Sequence, residues 1–591
     1  MNSYRFGPVL TASGVTFRIW APRQAVMRLL VEGSEPQAME PLEDGWHALT
    51  VAGIQSGQRY RFVLEDGLQV PDPGSRFQPE DVHGASEIID PDAYTWQCAD
   101  WKGRPWHESV IYEAHVGTLT PEGTFLAAID RLDYLKELGV TVLQLMPVAD
   151  FPGRRGWGYD GVLPYAPESS YGRPEDLKAL VDAAHMRGIS VFLDVVYNHF
   201  GPDGNYLPHY ANFFTERHQT PWGDGLNFDG GSAAAVRAFV SENARFWIEE
   251  FRFDGLRLDA VHAILDDSDH SILHEIAEDV RAVAGDRHVH LVVENEDNDA
   301  DLMERDPDGT PKHYEAQWAD DIHHVLHRAA TGQCDGYYAD YGGGAAIVGK
   351  ALAEGFVFQG ELMPEKGRHR GKPSAHLPPT AFISFIQNHD QVGNRMFGDR
   401  LGEMIDTDRL GALASIYLLA PEIPLLFMGE EWAASSRFPF FCDFDDALNA
   451  AVREGRKREF GHDPNQAGNV EEAPDPTTEG TFLSAKLRWD ERETGRHGEM
   501  LAHYRRLLAL RHAHVVPLLA AMGDRPAEYS AEGGRLEVRW HAGERSLILA
   551  ANLGEAAVAA TGVTSQARCI FPGEGQGRGD LAPWDVRWFV L

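Results

Sequence analysis

Cysteine is scarce, with four in 591 residues (Cys98, Cys334, Cys442 and Cys569) and no CxxC spacing among them. That scatter excludes a disulfide framework and a thiolate zinc site, and free thiols in a reducing compartment are expected. Long apolar runs are missing too. No stretch reaches the ~18 uninterrupted apolar residues of a membrane span. The opening MNSYRFGPVLTASG has neither a basic n-region nor an apolar h-region, so no signal peptide is expected. Positive charge is short: 53 Lys and Arg against 90 Asp and Glu leave a formal net charge of −37. Such a surface repels phosphate backbones and anionic lipid, so neither nucleic acid nor membrane is an expected partner. It suits a neutral or cationic ligand, although acidity by itself mainly keeps a protein soluble.

What is present is an ordinary globular composition, 43% hydrophobic and 24% charged, in a chain long enough for about three or four domains. The first hundred residues alternate in the manner of strands. Val15, Phe17 and Ile19 form one such run and Tyr60, Phe62 and Leu64 another, with Gly/Pro/Asp clusters between. An immunoglobulin-like β-sandwich over 1–104 is expected, ending near WKGRPW. From 105 to 510 apolar strands alternate with amphipathic helices. The strands are SVIYEAHVG, VTVLQLMPV, ISVFLDVVYNH, DGLRLDAV, HLVVENE, TAFISFIQNHD and PLLFMGEEW. Continuous apolar strands between helices imply a parallel sheet covered on both faces. A doubly wound sheet is the rival, but no Gly-rich phosphate loop follows an early strand. The expected fold is therefore α/β, a (β/α)₈ barrel, followed by a small β domain over 511–591. The stretch 453–482, rich in Glu, Asp, Gly and Pro, reads as a surface loop.

The polar residues fall at strand ends. Asp194 to His199, Asp259, Glu294 and His389–Asp390 all lie at C-terminal ends, the edge where an α/β barrel carries its active site. Carboxylates gathered there are costly unless hydrogen-bonded or functional. Retaining glycosidic cleavage needs one ionised and one protonated carboxyl on opposite faces of a sugar. Asp259 follows Arg257 by two residues, so strand alternation puts both on one face, where the guanidinium keeps the aspartate ionised. Glu294 follows the apolar LVV and neighbours Glu296, a setting that raises a carboxyl pKa. On spacing alone Glu294 and Glu296 share a strand face, and either fits the acid. Asp390 adds a third carboxylate beside His389.

At these residues the chain resembles the α-amylase superfamily, glycoside hydrolase family 13, over most of its length. DVVYNH (194–199), GLRLDAVHA (255–263), VVENEDN (292–298) and FIQNHD (385–390) look like that superfamily's four motif regions, in order. The resemblance implies Asp259 as nucleophile, Glu294 as acid/base and Asp390 as the carboxylate that binds and distorts the sugar. Related enzymes place the acid four residues before an asparagine, as Glu294 stands before Asn298. Asp194, His199, Arg257, His262 and His389 correspond to substrate-binding positions. The loops 156–172, 198–230, 388–400 and 425–432 look like those of the superfamily's trehalose-releasing members. That implies hydrolysis of maltooligosyltrehalose and related α-glucans at the α-1,4 bond next to the trehalose unit, with no cofactor. It also implies a maltooligosyltrehalose synthase as pathway partner, a cytoplasmic location and a monomer. The alternatives are a glucan branching enzyme, a debranching hydrolase of the same superfamily, or an inactive glycan binder.

Among the remaining features, Trp157, Tyr159 and Asp160 of WGYDG are expected to face the pocket, with aromatic stacking on a glucose ring. One of Glu430 and Glu431 is expected to line the cleft, and Glu430 is taken as that residue. The run IHHVLH (322–327) reads as a solvated helix face and not a metal site. KGRHRGK (366–372) is either a loop clamp or plain surface. No sequence run obliges a calcium site.

Overall fold

The computed structural model describes residues 4–462, 470–523, 526–559, 566–573 and 579–591. Its centre is a closed parallel barrel of eight strands in sequence order. They are β1 (Ile111–Ala114), β2 (Val142–Leu145), β3 (Ser190–Val195), β4 (Gly255–Leu258), β5 (His290–Val293), β6 (Ala316–Trp318), β7 (Phe382–Ser384) and β8 (Ile423–Phe427). Closure excludes the doubly wound alternative. Every strand residue is buried, which is why the sequence reads as unbroken apolar runs and not as alternation. Ile111, Val142, Phe192, Val292, Trp318, Ile383 and Leu425 fill the barrel interior, leaving a packed core and no pore.

Helices cover the barrel with the faces their periodicity dictates. In α1 (Pro174–Met186) Leu177, Leu180, Val181 and Ala184 are buried, and in α2 (Ala233–Glu250) Val236, Phe239, Val240 and Trp247. Near the N-terminus, strands around Gly14–Trp20 and Arg59–Val63 belong to two antiparallel sheets. Phe17 of one packs on Tyr60 of the other at 4.7 Å between ring centroids. The last sheet has five antiparallel strands from Glu528–Glu532 to Val586–Val590. It is fastened to the helical layer where the Trp588 indole N–H donates to the Ser415 carbonyl at 2.8 Å.

Three expectations change. The stretch 453–482 is not one loop: a helix over Asp446–His462 takes its beginning and another over Glu479–Ser484 its end, while 463–469 lie outside the described residues. The charged run REGRKRE lies within that helix, and its composition alone concealed it. The helical layer also continues past 511, through Leu519. Finally, IHHVLH in α3 (Asp320–Thr331) is no solvated face. His323, His324 and His327 are all buried. His324 stacks on Tyr341 at 4.7 Å and His327 on Tyr338 at 4.3 Å. The chain between α3 and β7 folds back over this helix, and burial pushes all three imidazoles down into their neutral form.

The loop after β2 is set by close backbone approach. Gly158 adopts φ +101°, and a β-carbon there would lie 2.1 Å from the Pro147 carbonyl oxygen. Gly201 packs as tightly, with only 2.0 Å between a β-carbon and the Asp160 carbonyl. Gly158 folds the WGYDG loop onto its own start, and Gly201 brings the loop that follows β3 against it. Gly158→Ala is therefore expected to lower stability by about 1–3 kcal/mol and to depress activity further by displacing Tyr159. Chemical denaturation and steady-state kinetics on the same preparation check both effects.

Candidate active site

Strand register creates the site. Asp194 on β3 lies directly across from Arg257 on β4, and Arg257 across from Val292 on β5. The Arg257 guanidinium is fully buried and lies over the Trp318 ring at 4.2 Å. One of its terminal nitrogens donates to Asp194 Oδ2 at 2.6 Å and to Asp259 Oδ1 at 2.9 Å. The other donates to Glu294 Oε2 at 2.8 Å. Asp259 is fixed further by Asn198, whose amide donates to Oδ2 at 2.9 Å. Glu294 also accepts the Ala260 backbone N–H at 2.9 Å. That N–H points inward because Ala260 turns into the left-handed region at φ 40°. Two carboxyls on adjacent nitrogens of one guanidinium suit the roughly 5–5.5 Å spacing of a retaining pair.

Glu296 stands apart from this cluster. The chain leaves β5 after Val293, so the two glutamates do not continue a common strand face. Glu296 faces Lys366 and Arg368, with Arg368 at 3.1 Å. Against the opposing effect of burial, Lys366, His262 and Arg368 hold its carboxyl below the ordinary range. An anion so held is a poor proton donor. The basic segment is a clamp: Arg370 reaches Asp321 at 2.8 Å and Lys372 reaches Asp299 and Asp301 at 2.6 Å each. His262 sits at this rim, where its Nδ1 accepts the Glu296 backbone N–H at 3.2 Å.

On the other side, the Tyr159 hydroxyl donates to Asp194 Oδ2 at 2.8 Å, and its ring stacks on His389 at 5.1 Å. Burial pushes Asp194 up to about 7, opposed by Arg257 and reinforced by Asp259. Asp390 is partly open to solvent, with His389 Nε2 at 3.4 Å and the Asn394 amide at 3.2 Å. His199 is neutral, lowered to about 4 by burial. Asp160 lies in the same loop as Tyr159, partly exposed, and desolvation raises it to about 6.

Two expected residues are misplaced by sequence reasoning. Glu430 does not line the cleft. It is buried behind the barrel and accepts hydrogen bonds from Tyr417 at 2.5 Å and Tyr504 at 2.9 Å. Glu431 is buried as well, under Tyr134 and Tyr112. The chain curls into a short helical turn after β8 and carries both side chains into the outer helical layer. Trp157 offers no free face to a sugar: it is buried, stacked on Phe438 at 5.3 Å and edge-on to His389 at 5.5 Å.

Two residues were missed. Glu113 of β1 accepts His389 Nδ1–H at 2.7 Å and the His389 backbone N–H at 3.0 Å. Its signal was a carboxylate inside the apolar strand SVIYEAHVG, which requires a partner. Trp222 is half exposed and stacks on His199 at 4.5 Å and 5° between planes. Its signal was a lone indole in the turn sequence TPWGDG. As for cations, His218, Asp229 and Asp267 offer ligand atoms within 4.8 Å of one another, but Arg217 already pairs with both carboxylates.

Burial alone would discharge His389, yet Asp390 and Glu113 raise it from 6.5 to about 9. The raised value means that this pair stabilises fully below pH 6.5 and is lost as pH rises through about 9. Glu113→Gln should weaken that pH-dependent stability, leaving the share that Asp390 supplies, and move the alkaline limit of kcat/KM to lower pH. Breaking the buried pair should cost about 3–5 kcal/mol. Thermal melts and pH-rate profiles of both proteins measure it.

The model of the α-amylase catalytic domain matches residues 76–222, and a domain of unknown function (DUF3459) matches 524–588. The chain is 44% identical over 557 residues to the malto-oligosyltrehalose trehalohydrolase of Deinococcus radiodurans, covering 93% of this chain and 89% of that protein. It is 41% identical over 507 residues to the one from Saccharolobus solfataricus, covering 86% of each. A crystal structure described as a putative α-amylase from Salmonella typhimurium superposes with a TM-score of 0.94 at 44% identity, covering 100% of both chains.

Proposed function

Since the chain belongs to the malto-oligosyltrehalose trehalohydrolases of the α-amylase family, we propose that Asp259, Glu294 and Asp390 carry out its trehalose-releasing hydrolysis. The scissile bond is the α-1,4 linkage next to the trehalose unit of maltooligosyltrehalose. The observation that carries the assignment is the single buried guanidinium holding both Asp259 and Glu294.

The reaction is a double displacement. Protonated Glu294 gives its proton to the glycosidic oxygen as Asp259 attacks the anomeric carbon. The carbon–oxygen bond to trehalose breaks and a β-glycosyl ester forms on Asp259. Water then gives a proton to the Glu294 carboxylate and attacks the same carbon, freeing Asp259 and a shortened α-glucan. Arg257 and Asn198 keep Asp259 aimed. Asp390 and the His389 imidazolium hold hydroxyls of the ring being cleaved, and those bonds tighten as the ring flattens. Tyr159 and the exposed Trp222 supply apolar faces for sugar rings.

Every group in this mechanism comes from one chain, and the monomer is the working unit. We place the enzyme in the cytoplasm beside a maltooligosyltrehalose synthase that supplies its substrate. Support comes from thiols that are unpaired, with Cys442 pushed up to about 12 by burial and therefore inert.

Incubation with maltotriosyltrehalose should yield free trehalose and maltotriose. New α-1,6 branches on amylose would indicate a transferase instead, and cleavage confined to α-1,6 bonds a debranching enzyme. Asp259→Asn should lower kcat by at least about 10⁴-fold, the scale at which removal of a nucleophile is felt, with an unchanged melting profile. Turnover near wild type would refute Asp259 as nucleophile.

A further inference from the structure

One carboxyl at the barrel mouth is left without work by this mechanism. Strand β6 lies between β5, which leads to Glu294, and β7, which leads to Asp390. β6 ends at Trp318, the ring beneath Arg257. Two residues on, Asp320 opens α3 at the mouth, flanked by both catalytic strands.

Its neighbour Asp321 is wholly engaged. Asp321 accepts from Tyr341 at 2.7 Å, Arg370 at 2.8 Å, Asn298 at 3.0 Å, and the backbone N–H groups of Val357 and Phe358 at 2.7 and 3.2 Å. Asp320 contrasts with it. It is half-buried, and among the described residues no donor or cation contacts its carboxyl. His324 of the same helix bonds the Asp320 backbone carbonyl at 2.6 Å, leaving the side chain free. A polar group placed in a substrate cleft without a protein partner is one that substrate or water must satisfy.

The charges around it are mostly its own sign. Burial comes first, then Glu294, with Asp321 and Asp390 adding to it and Arg370 opposing, and together they push Asp320 up to about 8. At neutral pH the group is an undissociated acid, with one O–H to donate and a carbonyl oxygen to accept. Hydroxyls of a sugar match that pair of functions; an anion would only accept.

We propose that Asp320 is a further substrate-contacting and specificity-determining residue, whose carboxyl exchanges hydrogen bonds with hydroxyls of the sugar on the leaving side of the scissile bond, beside Glu294. The proposal deepens the trehalose-release reading and rests on it for the sugar concerned.

The test compares kcat, KM and melting profile for wild type, Asp320→Asn and Asp320→Ala on maltotriosyltrehalose at neutral pH. The amide of the Asn variant also donates and accepts, so it should stay within about threefold of wild-type kcat/KM. The Ala variant should lose roughly tenfold, chiefly in KM, the scale of a hydrogen bond to substrate. An Asn variant as impaired as Ala would make the anion the working form and overturn the proposal. An Ala variant equal to wild type overturns it as well. Asp320→Ser is the second truncation if Ala melts early. Wild-type trehalose yield reports the underlying reading separately. The Asn-to-Ala ratio, on whichever α-1,4-glucan the wild type cleaves, reports Asp320.

Discussion

The buried guanidinium of Arg257 is the constraint on which the active site depends. A charge removed from water costs several kcal/mol unless partners repay it. Arg257 is repaid by Asp194, Asp259 and Glu294 at 2.6–2.9 Å and by the Trp318 face. Three carboxyls against one cation leave an excess of negative charge. That excess cannot all be ionised in a desolvated pocket, so a proton is retained within the cluster. The upward displacement of Asp194 to about 7 is one sign of it.

The surroundings follow from that arrangement. Tyr159 caps Asp194 and lays its ring on His389; His389 in turn needs Glu113 to stay charged while buried. The Tyr159 ring thus joins two hydrogen-bonded groups at the mouth, Asp194 with Arg257 on β3 and β4, and Glu113 with His389 on β1 and in the helix after β7. The close approaches of Gly158 to Pro147 and of Gly201 to Asp160 fix the loop that carries Tyr159. On the leaving side, the basic segment around Lys366–Lys372 neutralises Glu296, Asp299, Asp301 and Asp321. It therefore separates acidic residues that build the rim from those that face the sugar.

Seven of the eight barrel strands and the cluster were legible in the sequence because they are written locally, whereas the three-residue β6 was not among the strands read. An apolar run of strand length ending in Asp, Glu or His reports a strand and its C-terminal edge at once, and β3, β4, β5 and β7 all do so. What could not be read is which side of the wall a side chain takes once the strand ends. Glu430 and Glu431 follow β8 as Asp259 follows β4, yet a helical turn carries them outward to Tyr417, Tyr504, Tyr112 and Tyr134. Trp157 and the histidines of α3 were misread for a related reason: Phe438, which covers Trp157, is distant in sequence, and the Tyr338–Tyr341 segment folds back over α3 in a way that helical periodicity does not report. Glu113 was readable in principle, as a carboxylate within an apolar strand. Trp222 was readable only as a lone indole in a turn, which marks an exposed ring but gives no hint of stacking on His199.

The claim most exposed to test is that one guanidinium aligns Asp259 to attack while Glu294 handles the proton. An α-maltosyl fluoride needs no acid to lose fluoride, so with Glu294→Gln the glycosyl ester should form and then persist. Peptide mass spectrometry of that incubation should find the maltosyl adduct on the peptide containing Asp259. An adduct on the peptides holding Asp390 or Glu296, or none while fluoride is still released, would contradict the account.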